Sequence, residues 1–299
     1  MEKSGTTWCS TILNSHPDIL SVSIREDWKS KGKRVKNEWD KELMGELHFF
    51  NTIASLNKKK TLYKRPISNY ITKHKLLFNE IALLEGKLTN DELIELFLKK
   101  YNEIFMEQRL KQKKELAGEA TPAYIFYLED IDTFYPNVKK LCIMRDPKDR
   151  VVSFFYNEVR KGRIKDMNIN DSFIKDYCNS RINNEYEALI NYQGDIKCIL
   201  YEDLNSPKAP QVVKNMLDYL NCYYDKSLIS MMISKADFSV LSKHDDGTIS
   251  RKKGEENIYS QFRKGIVGDW KNNLSSNQAS LIEILTDRLK NKVYKKYNL

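Results

Sequence analysis

The chain is short of the residues that build metal centres and disulfide frameworks. It has four histidines, scattered along its length, and five cysteines, Cys9, Cys142, Cys178, Cys198 and Cys222. The cysteine number is odd and no C-x-x-C spacing occurs, so neither a zinc ribbon nor a disulfide scaffold is expected. Cys142 and Cys198 stand inside apolar runs, which predicts reduced thiols packed in a core. No segment approaches the roughly 18 uncharged apolar residues of a membrane helix, and no signal-peptide pattern is visible. Repeats and linker-like stretches are absent too. Residues 1–299 are therefore expected to form one domain, long enough to bury a sizeable core.

What is in excess is positive charge, with 50 Lys+Arg against 41 Asp+Glu and a net charge of +9. Such a balance suits anionic ligands such as nucleotides, sulfated sugars or nucleic acid. Lysine-rich stretches such as Asn57-Lys58-Lys59-Lys60, which read as solvated loops, supply much of it.

The first eight residues organise the rest. Lys3-Ser4-Gly5-Thr6-Thr7-Trp8 sets a cation, two small residues and two hydroxyls directly before the apolar run Cys9-Ser10-Thr11-Ile12-Leu13. That pattern predicts a tight loop opening a helix over Thr6–Asn14, which stops before His16-Pro17. Unpaired N–H groups at a helix start attract a phosphate, Lys3 adds a full charge, and Trp8 offers a face to a purine. A plain capped helix start would use similar residues. The Walker A pattern is absent, because here the lysine precedes the loop. The phosphate loop of an α/β protein follows a buried strand. Only Met1 and Glu2 precede this one, so the first strand is expected to be missing, together with any signal or anchor upstream.

Further on, residues 21–45 read as an irregular, substrate-side segment, and Glu46-Leu47-His48-Phe49-Phe50 as a return toward the core. Residues 78–116 have helical periodicity, so 21–116 together form a substrate-side, helical insert. Gly118 to Tyr124 is a turn-rich connector. Lys139-Lys140-Leu141-Cys142-Ile143-Met144 suits a buried parallel strand. It ends in Arg145-Asp146-Pro147, with Asp146 as helix cap and Pro147 at the first helical position. A second strand, Ile196 to Tyr201, runs into Glu202-Asp203-Leu204. Residues 211–221 predict an amphipathic helix, 242–262 a mobile loop, and Asn277 to Lys290 a closing helix. Strands alternating with helices indicate an α/β fold with a parallel sheet flanked by helices.

Two more segments carry chemistry. In Arg145-Asp146-Pro147-Lys148-Asp149-Arg150-Val151-Val152-Ser153, an arginine at a strand end and a serine eight residues later offer a cationic fork and a hydroxyl suited to a phosphate, though a strand–Asp-Pro–helix junction with a surface arginine would read the same. In Arg263-Lys264-Gly265-Ile266-Val267-Gly268-Asp269-Trp270-Lys271-Asn272, a cationic pair precedes glycines that let backbone approach an anion closely.

The three segments, in this order, resemble the phosphate motifs of sulfotransferases that use PAPS (3′-phosphoadenosine 5′-phosphosulfate), and they span nearly the whole chain. The resemblance implies a P-loop-like fold and PAPS as co-substrate, with no metal. It assigns Lys3, Ser4, Gly5, Thr6, Thr7 and Trp8 to the 5′-phosphosulfate and adenine, with Lys3 also catalytic. Arg145, Ser153, Arg263, Lys264 and Gly265 fall to the 3′-phosphate. Tyr201, in a YEDL-like segment, and Phe238 fall near the adenine.

Departures from the family pattern are informative. The KTH-type segment of cytosolic members, whose histidine is the general base, is replaced by Glu119-Ala120-Thr121-Pro122-Ala123-Tyr124, closer to the glycan-type branch. Glu46 to Phe50 resembles that branch's K-E-x-H-F-F run, with Gly45 in place of the lysine. Glu46 is thus the first candidate base, His48 the second and Glu119 the third. The family's dimer motif is not matched after Lys271, since Ser280 stands where its glutamate should be. Small phenols and alcohols, lipids and glycans all stay open as acceptors, no nucleic-acid partner is expected, and the cytoplasm is the expected compartment. A P-loop kinase and a non-catalytic binder of sulfated glycans are the alternatives.

Overall fold

The structure is a computed structural model that describes residues 1–21, 49–50, 53, 87–246 and 250–299, with Ile104 and residues 243–246 described in backbone only. The described residues divide into two compact units, Thr7–Val138 and Met1–Thr6 with Lys139–Leu299.

Helix α1 (Thr6–Asn14) has the expected span and buries Cys9, Ser10 and Ile12. Strand β1 (Ile19–Ser21) follows. Helix α2 (Asn90–Lys111) opens on a reciprocal capping box between Thr89 and Glu92, which satisfies two of its orphan N–H groups. Of the helical run expected over 78–116, residues 78–86 lie outside the described residues, and the helix ends at Lys111, before the run does. The chain turns at Lys113, in left-handed backbone, and Leu116–Gly118 is extended as β2. Apolar spacing in a short run serves helix and strand equally, and pairing with β1 decides for strand. The pair is parallel, with Ile19 opposite Leu116 and Ser21 opposite Gly118. Helix α3 (Leu128–Phe134) completes this unit. Its core gathers Leu20, Phe49, Phe50, Leu93, Phe97 and Ile131.

In the other unit β3 (Leu141–Met144) and β4 (Lys197–Leu200) pair in parallel, with Cys142 opposite Cys198. Both thiols are buried and free, as expected. Helix α4 (Pro147–Arg160) starts as the sequence predicts, with Asp146 accepting from the Lys148 N–H and Pro147 in the first turn. The polar stretch after it forms α5 (Asp171–Tyr177), a wide π turn over Cys178–Asn183, and α6 (Asn184–Asn191).

After β4, the segment read as a strand end is instead a helical turn, α7 (Tyr201–Leu204). Helix α8 (Ala209–Leu220) ends at left-handed Asn221, and α9 (Lys226–Lys235) and α10 (Phe238–Asp246) follow. The expected mobile loop over 242–262 is corrected on two counts. Helix α10 takes its start, and from Arg251 onward it is tied down, as described below. Helix α11 (Ser276–Tyr297) packs on α4, α5 and α6 and buries Ile282, Leu289 and Val293. Burying such side chains stabilises by about 1.5–3 kcal/mol each. Parallel strand pairs linked through helices make the fold α/β, as the alternation predicts.

Candidate functional site

The loop before α1 is bent by two left-handed residues, Lys3 at φ 57° and Gly5 at φ 89°. Only glycine fits the second. A Cβ there would lie 2.6 Å from the Tyr201 ring, well inside van der Waals contact. The loop is anchored from below by α4. Arg150, fully buried, donates through Nε to the Glu2 carbonyl at 3.0 Å and pairs through Nη2 with Glu185 on α6. The Glu185 Oε1 in turn accepts from the Glu2 N–H at 3.2 Å.

Three other strand-end and loop segments converge on the same place. Arg145, at the end of β3, lays its guanidinium 4.5 Å from the Tyr201 ring centroid. Its Nη2 donates to the Ile266 carbonyl at 3.3 Å and stands 3.5 Å from Asp149 Oδ2. The buried Nε of Arg145 has no hydrogen-bond partner among the described residues, a costly vacancy for a guanidinium N–H unless an acceptor from outside fills it. Glu202 on α7 accepts from the Asp146 N–H at 2.9 Å, tying the ends of β3 and β4 together.

The segment from Arg263 to Asn272 is held by Asp149, which accepts from the Gly268 N–H at 2.7 Å and the Trp270 N–H at 3.1 Å. Gly265, at φ 69°, lies against Phe238, whose ring would be 2.2 Å from a Cβ. Arg263 lies 4.3 Å from the Tyr156 ring centroid and pairs with Glu256 and Asp269. Lys264 pairs with Asp269 at 2.9 Å and with Glu256 at 3.8 Å. Against the opposing effect of its burial, a hydrogen bond from Asn272 together with these cations pulls the Asp269 carboxyl down to about 2. Arg251 ties the approach to this segment. Its Nη groups donate to the carbonyls of Glu255, Phe262 and Arg263 and to Ser260 Oγ, at 2.6–2.9 Å.

Lys3 keeps some exposed surface while its ammonium is densely packed, and burial draws its pKa down to about 8. Glu2 opposes the fall, and Arg160, Lys161 and Arg145 add to it.

The structure thus brings together Lys3, Gly5, Arg145, Tyr201, Phe238, Arg263, Lys264 and Gly265. Ser153 lies one turn beyond Asp149 on the α4 face that Asp149 and Tyr156 present to residues 263–273. Ser4 is buried, its hydroxyl directed to the Glu2 carbonyl at 3.4 Å. Thr6, Thr7 and Trp8 form the partly exposed first turn of α1. Tyr201 and Phe238 are both buried, with Arg145 and Arg251 respectively near their rings. Glu46 and His48 lie outside the described residues. Glu119, just after β2, accepts from Tyr101 and Tyr124 at 2.7 Å each and from Thr121 at 3.2 Å. Among the described residues, no cluster of three His, Cys, Asp or Glu could hold a metal ion.

Sequence reasoning missed the acidic half of the site. Asp149, Asp269 and Glu256 stand in or near the basic motifs, where their alternation with cations was the available signal. Glu185 and Arg251 had none.

The residues present fit a nucleotide bearing phosphates at two ends. Gly5 and Gly265 let the loop backbone close on the Tyr201 and Phe238 rings, and the buried guanidinium N–H of Arg145 has no partner among the described residues.

The sequence profile of the sulfotransferase domain family matches residues 1–295. Sulfotransferase 6B1 of Danio rerio is 25% identical over 162 residues, covering 51% of this chain and 52% of that protein. Sulfotransferase 6B1 of Homo sapiens is 30% identical, covering 48% of each chain. Cytosolic sulfotransferase 3 of Arabidopsis thaliana is 24% identical, covering 51% of this chain and 53% of that one. The chain spans about half the length of the curated relatives it matches. Among solved structures, retinol dehydratase in complex with androsterone and the inactive cofactor PAP superposes with a TM-score of 0.51 at 14% identity, covering 100% of this chain and 80% of that one. That likeness is one of fold.

Proposed function

We propose, from the premise that this chain belongs to the sulfotransferase domain family, that it moves a sulfuryl group from PAPS to an acceptor hydroxyl or amine and releases PAP. Residues 1–299 are read as one sulfotransferase domain, which the family match over residues 1–295 supports. The carrying observation is the convergence of Lys3, Gly5, Arg145 and the Arg263–Lys264 pair, with the Arg145 Nε left without a partner among the described residues.

PAPS supplies an activated sulfuryl group whose transfer, like phosphoryl transfer, is governed by positioning and charge stabilisation. Lys3 stabilises negative charge that grows on the leaving phosphate. Ser4, Gly5, Thr6 and Thr7 supply amides and hydroxyls to the 5′ end. Arg145, Ser153, Arg263, Lys264 and Gly265 hold the 3′-phosphate, and Trp8, Tyr201 and Phe238 border the base. Glu46 is proposed as the base that takes the acceptor proton, His48 as second candidate and Glu119 as third. The acceptor is read as a small molecule, with glycans still open, and the compartment as cytoplasm, in line with relatives named cytosolic sulfotransferases.

The test is calorimetric binding of PAP, with ADP and ATP as controls, at two salt concentrations. PAP-selective binding that Arg145→Ala reduces at least about a hundredfold is expected, the loss of a buried charge-assisted contact. Equal binding of ADP and PAP, or Mg²⁺-dependent ATP binding, would overturn the reading.

A further inference from the structure

The pair assigned to the 3′-phosphate is not charge-free: two carboxylates already sit on it, and they differ in kind. Asp269 is 2% exposed in its side chain and is locked in place, accepting from Lys264 at 2.9 Å, Asn272 at 3.0 Å and Asn273 at 3.2 Å. It stands at the first position of the short 3₁₀ turn Asp269–Asn272. Glu256 is 36% exposed in its side chain, and its carboxylate meets Arg263 through Nη1 and Lys264 at 3.8 Å. Both η-nitrogens of Arg263 are therefore engaged, one by the fixed acid and one by the exposed one.

We propose that Glu256 is an internal stand-in for the 3′-phosphate, a carboxylate that occupies Arg263 and Lys264 and must be displaced when a 3′-phosphorylated nucleotide binds. This rests on the cofactor reading above. An incoming phosphate cannot take Asp269's place, because that carboxylate is buried and held by four side chains. It can take Glu256's, because Glu256 reaches the pair from a solvent-exposed segment. The dianion brings more charge and more acceptor oxygens than the carboxylate, so exchange favours the ligand. The same exchange runs backward on release: Glu256 returns to Arg263 and helps expel PAP. A nucleotide with a free 3′-hydroxyl has nothing with which to displace it, so Glu256 opposes the binding of 3′-phosphorylated nucleotides alone.

The experiment compares wild type, Glu256→Gln and Glu256→Ala for PAP and ADP affinity by calorimetry, and for PAP dissociation by stopped flow. Relieving the competition at a partly exposed ion pair is expected to tighten PAP binding about two- to fivefold and slow its dissociation by a similar factor. ADP affinity is expected to stay unchanged in both variants. PAP affinity that is unchanged or weaker in both variants would overturn the proposal and make Glu256 a support for Arg263 instead. Equal tightening of PAP and ADP would also overturn it, as a general charge effect. Wild type that prefers ADP to PAP would remove the cofactor reading itself, and the stand-in with it.

Discussion

Lys3 carries the closest link between local backbone and chemistry in this chain. Its left-handed conformation and the glycine two residues on curl the loop, and burial with neighbouring Arg160, Lys161 and Arg145 draws its pKa down to about 8. A phosphate bound beside the ammonium favours the charged form and raises that pKa again. Below about pH 8 the lysine is already protonated and binding moves no proton on it. Above that, binding must take a proton up, so PAP affinity is expected to fall by up to about tenfold per pH unit until the bound-state pKa is reached. Calorimetry in buffers of different ionisation enthalpy at about pH 9 reads the proton directly. An affinity that is flat through this range, with no proton taken up, would show that Lys3 does not face the anion.

Helix α4 is the element on which the site is assembled. Successive residues at its N-terminal end serve different tasks: Asp149 holds the Gly268 and Trp270 amides, and Arg150 holds the loop carbonyl of Glu2 and the Glu185 carboxylate. Glu185 is only 2% exposed, so a variant that removes its cation leaves a buried charge alone. Arg150→Ala is expected to cost about 3–5 kcal/mol in urea unfolding, whereas the double change Arg150→Met with Glu185→Leu should recover most of that loss. The double variant should still bind PAP weakly, because the Glu2 carbonyl loses its donor. Equal instability of single and double variants would mean that packing, not the stranded charge, sets the cost. The strand–Asp-Pro–helix junction of α4 was legible in the sequence because caps and prolines act locally. Its two side-chain tasks were not, since they depend on segments brought in from far along the chain.

For the molecule as a whole, a ligand that binds only the folded state stabilises it in proportion to the logarithm of its saturation. PAP at about 100 times its Kd is expected to add ~2.7 kcal/mol, visible as a raised unfolding temperature, with ADP at the same concentration giving a clearly smaller shift. A PAP shift no larger than that of ADP would contradict a site built for two phosphates. The sequence by itself determined the α/β class, the start of α1 and α4, and the two strands that carry Cys142 and Cys198. These follow from periodicity, capping and spacing within a few residues. It misplaced the C-terminal end of α2, the helical turn at Tyr201 and the ends of the loop expected over 242–262, because pairing partners and a buried arginine decide those. Only the tertiary structure decided how the cations are balanced. Arg150 meets Glu185 across 35 positions, and Asp149 reaches the Gly268 and Trp270 amides across 119 and 121. Contacts of that separation leave no period in the chain, so these partners had no signature in the sequence.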